Sequence, residues 1–444
     1  MIKNRLKRMC LAALITLQLL DVKAQLITQT GSLPDPRVNH TSQLLANGKV
    51  LVAGGNDGYL LNLESFKSAL LYSNGTWTAT GNMTEIRSDL ASVLLDNGNV
   101  LVAGGEDMDG VVLESSEIYN VATGTWSATE DMKDTRSNFR LIKLNNGKIL
   151  AMAGMYDKTC DLYDQTTGKW TSTGEMKHSR SYMYGATKLQ NGNVLVTGGG
   201  EEIAEIYNVA TGTWSDVSNL MNSVRGNTAS ILMSNGKVLI VGGVDLTSEI
   251  FDISTNTFTK AGDLENYVNS CELINLNNGN VLVYGMGDIF SMDRKALQVF
   301  STSSKKWNSA GPISPSVFPG YGYTVNRLQN GRILYAGGNY STGNGANEYC
   351  YLVNESSIVS GIENQKINSG LSIYPNPSKG KVTIETEQNL AGIEYRILDL
   401  SGRIMLTDQF KENARTINLE QLEIGVYFLQ IGNDVAHLSK IIIE

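Results

Sequence analysis

The sequence predicts an all-β fold, a seven-bladed β-propeller followed by a small β-sandwich. Three observations predict it: an Asn-Gly phrase that returns seven times, a pair of aromatic residues at a fixed place in the repeated unit, and a change of composition near residue 355. The phrases begin at Asn47, Asn97, Asn146, Asn191, Asn235, Asn278 and Asn330. Starts that lie 43 to 52 residues apart, sustained over the chain, indicate a repeat architecture.

The first copy of the phrase, residues 47–55, shows why each unit contains a hairpin. Asn-Gly favours a tight two-residue turn, because both turn positions need positive φ. The apolar run Val50–Val52 has no polar alternation, which predicts a strand buried on both faces. A double glycine then ends the strand where backbones pass closely. Five copies carry both glycines, and the exceptions are Ala153-Gly154 and Gly285-Met286.

Two aromatic positions follow in each unit and predict its third and fourth strands. The first aromatic ends an apolar stretch: Tyr72, Tyr119, Tyr163, Tyr207, Phe251, Phe300 and Tyr351. The second stands five or seven residues later in six units: Trp77, Trp126, Trp170, Trp214, Phe258 and Trp307. Four strands in a unit of this length are typical of one propeller blade, with the large aromatics packed between blades.

This pattern of double glycine, then Tyr, then Trp resembles the Kelch repeat, over roughly residues 25–355. The seventh unit has no Trp-containing strand after Tyr351, but Ile27, Leu33 and Arg37 keep the spacing found after the Trp in other units. We therefore expect the N-terminal segment to supply the outer strand of the last blade. That closure removes a free sheet edge.

Composition supports this prediction and excludes other classes of protein. The chain has 444 residues, 45 glycines, 7 prolines and 18% charged residues, which is a turn-rich profile. Its formal net charge of −8, without a basic stripe, argues against a nucleic-acid partner. We expect a monomer.

The N-terminus predicts an export signal over residues 1–24. Four basic residues precede the apolar run Leu11–Leu20, and Val22-Lys23-Ala24 resembles a cleavage site. The apolar run is too short to span a membrane, and the sequence contains no other candidate span. The propeller is then expected over residues 25–354, outside the cytoplasm.

A linker is predicted over residues 355–370, where serine, asparagine and glycine replace large apolar residues. The pattern of residues 371–444 predicts short strands of a small β-sandwich, with turn residues between them. Their opening Tyr374-Pro375-Asn376-Pro377, the middle Leu400-Ser401-Gly402-Arg403 and the strand Gly425–Leu429 resemble the C-terminal sorting domain of the Por (type IX) secretion system. The resemblance implies a Bacteroidetes-type bacterium, the outer-membrane secretion and sorting machinery as a partner, and removal of the domain at the cell surface. The alternative is an ordinary accessory sandwich.

No catalytic centre, metal or cofactor is predicted from the residue pattern. The galactose-oxidase group of Kelch-type propellers uses two tyrosines and two histidines for copper. The propeller segment has two histidines, His40 and His178, and nothing in their spacing shows that they meet. Cys160, Cys271 and Cys350 are an odd number on mostly distant blades, so we expect buried thiols and no disulfide framework. An epimerase-type acid–base pair in the funnel remains open.

The candidate ligand site is the face built from two loop sets, one between blades and one between the second and third strands of a blade. The resemblance to peptide-binding Kelch propellers makes the recurring arginines candidates: Arg37, Arg87, Arg136, Arg180 and Arg225. The second loop set supplies carboxylates and nearby tyrosines: Asp57, Asp107, Asp157, Asp245, Asp288, Tyr156 and Tyr182. Such arginines and carboxylates could bind sugar hydroxyls or an acidic peptide, or they could be scaffolding that pairs internally.

The sequence therefore predicts a secreted or surface-displayed binding module for glycan or protein, without catalysis. The alternative is an extracellular carbohydrate-active enzyme, of oxidase or epimerase type, that uses the same funnel. A third alternative is a structural surface component that works through its blade rims. Propellers host unrelated functions, so the fold does not choose among them.

Overall fold

The computed structural model divides the chain into two compact units, Met1–Glu355 and Ser356–Glu444. It describes residues 26–59, 64–154, 157–180, 184–243, 245–286, 297–310, 321–339, 345–355, 357–358, 372–385, 394–399, 404–411, 416–431 and 438–444. The predicted signal segment 1–24 and nearly all of the predicted linker 355–370 lie outside these residues. In the part of the chain that is described, no helix is long and apolar enough to cross a membrane.

The first unit consists of seven four-stranded antiparallel sheets, counted over the described residues. Strand β1 (Ile27–Gln29) precedes the first complete sheet. Blade 1 is β2 (Thr41–Leu44), β3 (Val50–Ala53), β4 (Ala69–Ser73) and β5 (Thr76–Ala79). Blade 2 is β6 (Ala91–Leu94), β7 (Val100–Ala103), β8 (Ser116–Asn120) and β9 (Thr125–Ala128). Blade 3 is β10 (Arg140–Lys143), β11 (Lys148–Met152), β12 (Cys160–Asp164) and β13 (Lys169–Ser172).

The remaining blades repeat this order. Blade 4 is β14 (Tyr184–Lys188), β15 (Val194–Gly198), β16 (Glu205–Asn208) and β17 (Thr213–Asp216). Blade 5 is β18 (Ala229–Leu232), β19 (Val238–Val241), β20 (Thr247–Asp252) and β21 (Thr257–Asp263). Blade 6 is β22 (Asn269–Asn275), β23 (Val281–Met286), β24 (Leu297–Ser301) and β25 (Lys306–Ser309). Blade 7 combines β26 (Thr324–Arg327), β27 (Arg332–Ala336) and β28 (Cys350–Asn354) with β1.

The first strands of neighbouring blades contact one another, so they form the inner ring around a central channel. The second strands lie behind them, and their apolar residues are buried; Val50, Val100 and Val194 have no exposed surface. The predicted Asn-Gly turns join the first two strands of each blade. These turns therefore lie on one face of the propeller, and the loops that enter the first strands lie on the opposite face.

The predicted closure by the N-terminal segment is confirmed. Strand β1 pairs with β28, and Ile27 lies opposite Val353. In blade 1 the equivalent pair is Trp77 opposite Tyr72, so Ile27 takes the place of the tryptophan. The sequence interpretation is wrong in one detail. It placed Tyr351 at the first aromatic position of the seventh unit, but Val353 occupies that position. The register shows it, since Val353 pairs with Ile333 as Tyr72 pairs with Val50.

The repeated aromatics pack inside the propeller, as the sequence predicts. The rings of Tyr119 and Trp126 have centroids 5.0 Å apart, and Tyr119 is almost fully buried. The Tyr119 hydroxyl lies 2.7 Å from Thr80 Oγ1, on the segment that leaves blade 1. Trp126 Nε1 donates a hydrogen bond to the Gly81 carbonyl on that same segment. The aromatic pair therefore joins one blade to the next through both packing and hydrogen bonds.

The second unit is a separate small β-structure of two sheets, among its described residues. One sheet contains β29 (Ser372–Tyr374), β30 (Lys381–Glu385) and β33 (Thr416–Asn418). The other contains β31 (Glu394–Leu398), β32 (Ile404–Gln409), β34 (Gly425–Ile431) and β35 (Leu438–Ile443). Side chains from both sheets, including Ile384, Ile397 and Leu429, share one buried core. This arrangement agrees with the predicted β-sandwich.

Candidate binding face and central channel

The large exposed apolar side chains that the structure describes in the propeller all lie on one face. The loops that join blades and the loops between second and third strands form this face, which we call the loop face. Among the described residues of the first unit, the exposed large apolar or aromatic side chains are Tyr59, Met108, Val111, Leu220, Val224, Leu246, Tyr321 and Tyr349. All eight lie in these two loop sets. Exposed apolar groups concentrated on one side of a soluble protein are typical of an interaction surface.

The loop face contains exposed tyrosines near the seam where blade 7 meets blade 1. Tyr59 is 52% exposed and Tyr321 is 44% exposed. The Tyr59 ring lies against Gly345 in the blade 7 loop, where an added Cβ would come within 2.9 Å of the ring. The Ala346 amide donates to the Asp57 carbonyl at 2.7 Å, which ties the two loops together. The seam therefore presents aromatic surface on loops that brace each other.

The five predicted arginines lie inside the protein and not on its surface. Each guanidinium group has no exposed surface. Each donates to the carbonyl that ends the second strand of the next blade: Arg37 to Gly54, Arg87 to Gly104, Arg136 to Ala153, Arg180 to Gly198 and Arg225 to Gly242. These bonds fix the sharp bend at the double glycine.

Four of these arginines also bind a buried carboxylate on the third strand. The pairs are Arg87 with Glu117, Arg136 with Asp161, Arg180 with Glu205 and Arg225 with Glu249. Arg37 differs because Leu70 occupies the carboxylate position, and its guanidinium lies over the Phe66 ring at 4.8 Å. Burial lowers the pKa of Arg37 to about 10, and Asp35 only partly opposes this. The expectation of a ligand-contacting arginine ring is corrected by this geometry: buried, bonded guanidinium groups act as internal anchors.

The predicted carboxylates of the loop face shape their own loops. Asp57 Oδ1 accepts hydrogen bonds from the Tyr59 and Glu64 amides, and Asp107 Oδ1 accepts from those of Asp109 and Val111. Such side-chain-to-backbone bonds are the usual way an aspartate stabilises a turn. These carboxylates are half-buried and keep some accessible surface.

The other two described carboxylates also combine a turn with an arginine contact. Asp157 Oδ1 accepts from the Thr159 amide, and Asp245 Oδ1 accepts from the Thr247 amide. They lie 4.0 Å and 3.9 Å from the nearest nitrogen of the buried arginine beside them. The remaining sequence candidates, Asp288, Tyr156 and Tyr182, lie outside the described residues.

A chain of backbone hydrogen bonds runs around part of the channel mouth on the loop face. The Asn39 amide donates to the Gly322 carbonyl, Asp89 to Asn39, and Asn138 to Asp89. All four residues have positive φ and occupy the same position, two residues before the first strand of their blade begins. Asn39 Nδ2 also donates to Asp89 Oδ2 at 3.0 Å. Burial, with the nearby charge of Glu106, raises the pKa of Asp89 to about 7.

The channel wall carries two charged residues that the sequence interpretation missed. The position six residues before each Asn-Gly turn is occupied by Thr41, Ala91, Arg140, Gly185, Ala229, Glu272 and Thr324. Five of these are small, and the other two bear opposite charges. The strand registers confirm that the seven positions are equivalent in the blades. Comparison of this one column across the repeats would have found Arg140 and Glu272.

The donor set for an oxidase-type copper site is not brought together. His40 is buried, its Nε2 lies 2.9 Å from Thr324 Oγ1, and burial lowers its pKa to about 3. His178 lies elsewhere, with Nε2 3.3 Å from Asp216 Oδ1 on the outer strand of blade 4. Among the described residues, no three or more histidine, cysteine, aspartate or glutamate side chains are grouped so that they could hold a metal ion. The histidines therefore do not fit the predicted copper alternative.

The comparisons with known proteins agree with this architecture. No curated protein matches the chain. A solved structure of a fungal alcohol oxidase of the AA5 family, in complex with copper, resembles it with a TM-score of 0.60 at 13% identity, over 94% of this chain and 100% of that chain. Identity this low shows a shared fold and no more. Residues 372–444 match the family described as secretion system C-terminal sorting domain. This chain is therefore an exported protein in which a seven-bladed β-propeller is followed by a domain that matches the secretion system C-terminal sorting family.

Proposed function

We propose that the loop face of the propeller is a non-catalytic binding surface for glycans, displayed outside the cell after export. The observation that carries this proposal is that the large exposed apolar side chains among the described residues of the propeller all lie on the loop face. Exposed tyrosines such as Tyr59 and Tyr321 offer rigid, amphipathic surface on which a sugar ring can stack. Half-exposed carboxylates such as Asp57 and Asp107 stand on the same loops and can accept hydrogen bonds from sugar hydroxyls.

The proposal gives the buried arginines a supporting role. They hold the bends from which the binding loops leave the second strands, so the loops are rigid before a ligand arrives. A preorganised surface loses less conformational entropy on binding. We include in the proposal an export signal over residues 1–24, release of the sorting domain after secretion, and a monomeric propeller.

A glycan array probed with the purified chain tests this proposal. Selective binding should weaken roughly tenfold when Tyr59→Ala and Tyr321→Ala are combined, which corresponds to about 1.4 kcal/mol. The matched control is Lys169→Ala, an exposed change on the outer strand of blade 3, which should leave binding unchanged. Glycan binding that persists in the double tyrosine variant would contradict the proposed surface. Binding only to proteins would replace glycan with a protein partner.

A second candidate function, a carbohydrate-active enzyme, is favoured by one observation. Asp89 at the channel mouth has a pKa near neutrality and lies beside Glu106, which is the type of pair that can donate and accept protons. Mass analysis of the glycans recovered from the array separates the two functions. A ligand of changed mass would support the enzyme, and a ligand of unchanged mass would support the binding module. Isomerisation does not change mass, so the recovered ligands are also compared by NMR.

A further inference from the structure

Two opposite charges border the central channel on nearly opposite sides. Arg140 begins the innermost strand of blade 3, and Glu272 holds the equivalent position in blade 6. Blades 4 and 5 lie between them on one side of the ring, and blades 7, 1 and 2 on the other. The five other residues at this level are Thr, Ala or Gly, so the charged side chains are the only long ones that the described residues place in this column.

Each of the two charges is positioned by a tyrosine from the next blade. The Arg140 guanidinium lies over the Tyr184 ring at 5.9 Å, and Tyr184 is itself fixed by a hydrogen bond to the Met152 carbonyl at 2.6 Å. On the other side, Tyr323 occupies the position equivalent to Tyr184. Its hydroxyl donates to the Ser270 carbonyl at 2.9 Å, at the start of the strand that carries Glu272. One tyrosine therefore supports the Arg140 guanidinium directly, and the other anchors the strand that carries Glu272.

The two side chains influence each other through space without bonding. The Glu272 side chain is accessible from the channel, and the protein around the channel partly desolvates it. Desolvation raises the pKa of Glu272, and the positive charge of Arg140 partly opposes that rise. Within the described part of the chain, neither side chain forms a hydrogen bond or an ion pair. This differs from Arg87, Arg136, Arg180 and Arg225, which all bind a carboxylate directly.

A second polar group without a partner lies close to Glu272. The Tyr335 hydroxyl is buried and has no hydrogen-bond partner, and its pKa is raised well above the usual value, by burial first and then by the Glu272 charge. A buried hydroxyl that lacks a partner is costly, so its retention needs a reason. A ligand or ordered water that reaches Glu272 could also satisfy groups on this side of the channel.

We propose that the space between Arg140 and Glu272 binds a small hydroxylated carboxylate, such as the uronic acid residue of an acidic glycan. The guanidinium group would bind the ligand carboxylate through two parallel hydrogen bonds, and Glu272 would accept hydrogen bonds from ligand hydroxyls. The small residues of the same column leave room for the sugar ring. This inference rests on the proposed glycan-binding function and names the substrate class that the channel selects.

Isothermal titration of the purified chain with free glucuronate and galacturonate tests the inference. A uronate should bind at least tenfold more tightly than glucose, which lacks the carboxylate. Arg140→Gln should abolish this preference, and Glu272→Gln should weaken uronate binding with less effect on other carboxylates such as acetate. Circular dichroism and the melting temperature of each variant establish that it is folded. Equal binding of uronate and glucose, or uronate binding unchanged in folded Arg140→Gln, would overturn the inference.

The same variants separate this inference from the proposed function. If uronate binding is lost in the Tyr59→Ala and Tyr321→Ala variant but not in Arg140→Gln, the loop face is the binding surface and the channel inference is wrong. If uronate binding is lost only in Arg140→Gln, the channel site is supported independently of the loop face. Glutamate that binds as tightly as uronate would overturn the sugar assignment and indicate an amino-acid site.

Discussion

The Arg136 guanidinium and the Asp161 carboxylate lie 2.9 Å apart, and neither side chain has any exposed surface. Arg136 comes from the segment between blades 2 and 3, and Asp161 comes from the third strand of blade 3. The same guanidinium donates to the carbonyls of Ala153 and Thr159 on either side of the blade 3 loop. One buried ion pair therefore holds together the entry to a blade, the end of its second strand and the start of its third.

Replacement of this arginine should destabilise the propeller strongly. Arg136→Met leaves the Asp161 carboxylate buried without a counterion, and such losses typically cost about 3–5 kcal/mol. Arg37→Met is the matched control, because Leu70 stands where blades 2 to 5 have the acid. It should cost about 1–3 kcal/mol, from backbone and hydroxyl acceptors left without a donor. Urea unfolding monitored by tryptophan fluorescence measures the free energy of unfolding of both variants. Equal losses of stability in the two variants would contradict the role assigned to the ion pair.

Asp89 should make the stability of the propeller fall as pH rises through the acidic range. Its pKa is raised from 3.8 to about 7 in the folded chain, so between these values the folded state binds more protons than the unfolded state. The stabilisation is complete below about pH 4 and is lost as pH approaches and passes 7. Glu106 is the charged neighbour that strengthens the effect.

Asp89→Asn removes this titration and keeps the backbone conformation, since Asn39 and Asn138 occupy the equivalent positions with positive φ. The variant should be more stable than the parent at pH 8, by at most about 4 kcal/mol at 1.36 kcal/mol per pKa unit. The difference should shrink as pH falls to 4. Denaturant unfolding at a series of pH values measures it, and a difference independent of pH would show that Asp89 does not titrate in this range.

The double glycine should be required for close approach between neighbouring blades. Gly104 has a φ of +60, and a Cβ added to it would lie 2.3 Å from the Arg136 carbonyl oxygen. Gly98 has a similar φ of +84, but a Cβ there meets nothing within 4 Å. Gly98→Ala should cost about 1–2 kcal/mol from the left-handed backbone alone. Gly104→Ala should cost clearly more in thermal or urea unfolding, and similar losses for the two would argue against the steric explanation.

The three cysteines of the propeller should be inert in the native protein. Cys160, Cys271 and Cys350 are free and buried, and burial raises the thiol pKa to about 12 for the first two and to about 11 for Cys350. Because the thiolate is the reactive form, a maleimide reagent at pH 8 should label none of them until denaturant is added. Peptide mass mapping after labelling checks each site. Rapid labelling of a native thiol would show that its blade opens locally.

The internal role of the arginines could have been found by comparing columns of the repeat. The third-strand position two residues before the aromatic carries Glu117, Asp161, Glu205 and Glu249 in the blades whose arginine has an acidic partner. Blade 6 has Val268 in place of the arginine, and its third strand has Gln298 in place of the acid. Loss of the acid together with the arginine is what a buried pair favours, since a buried carboxylate without the arginine would be uncompensated. The sequence interpretation compared the arginines alone and therefore left open whether they contact a ligand or pair internally.

The sequence by itself determined the seven units, the closing N-terminal strand, the aromatic core and the sorting domain, because these depend on local turn chemistry and on patterns that repeat along the chain. Tertiary structure decided the register of blade 7, where Val353 replaces Tyr351 in the aromatic position, since register follows from pairing with Ile333. It also decided that the recurring arginines point inward and that Arg140 and Glu272 share one channel. Where a side chain points, and which side chains come close to it, depends on closure of the ring. Closure brings together residues more than a hundred positions apart in the sequence.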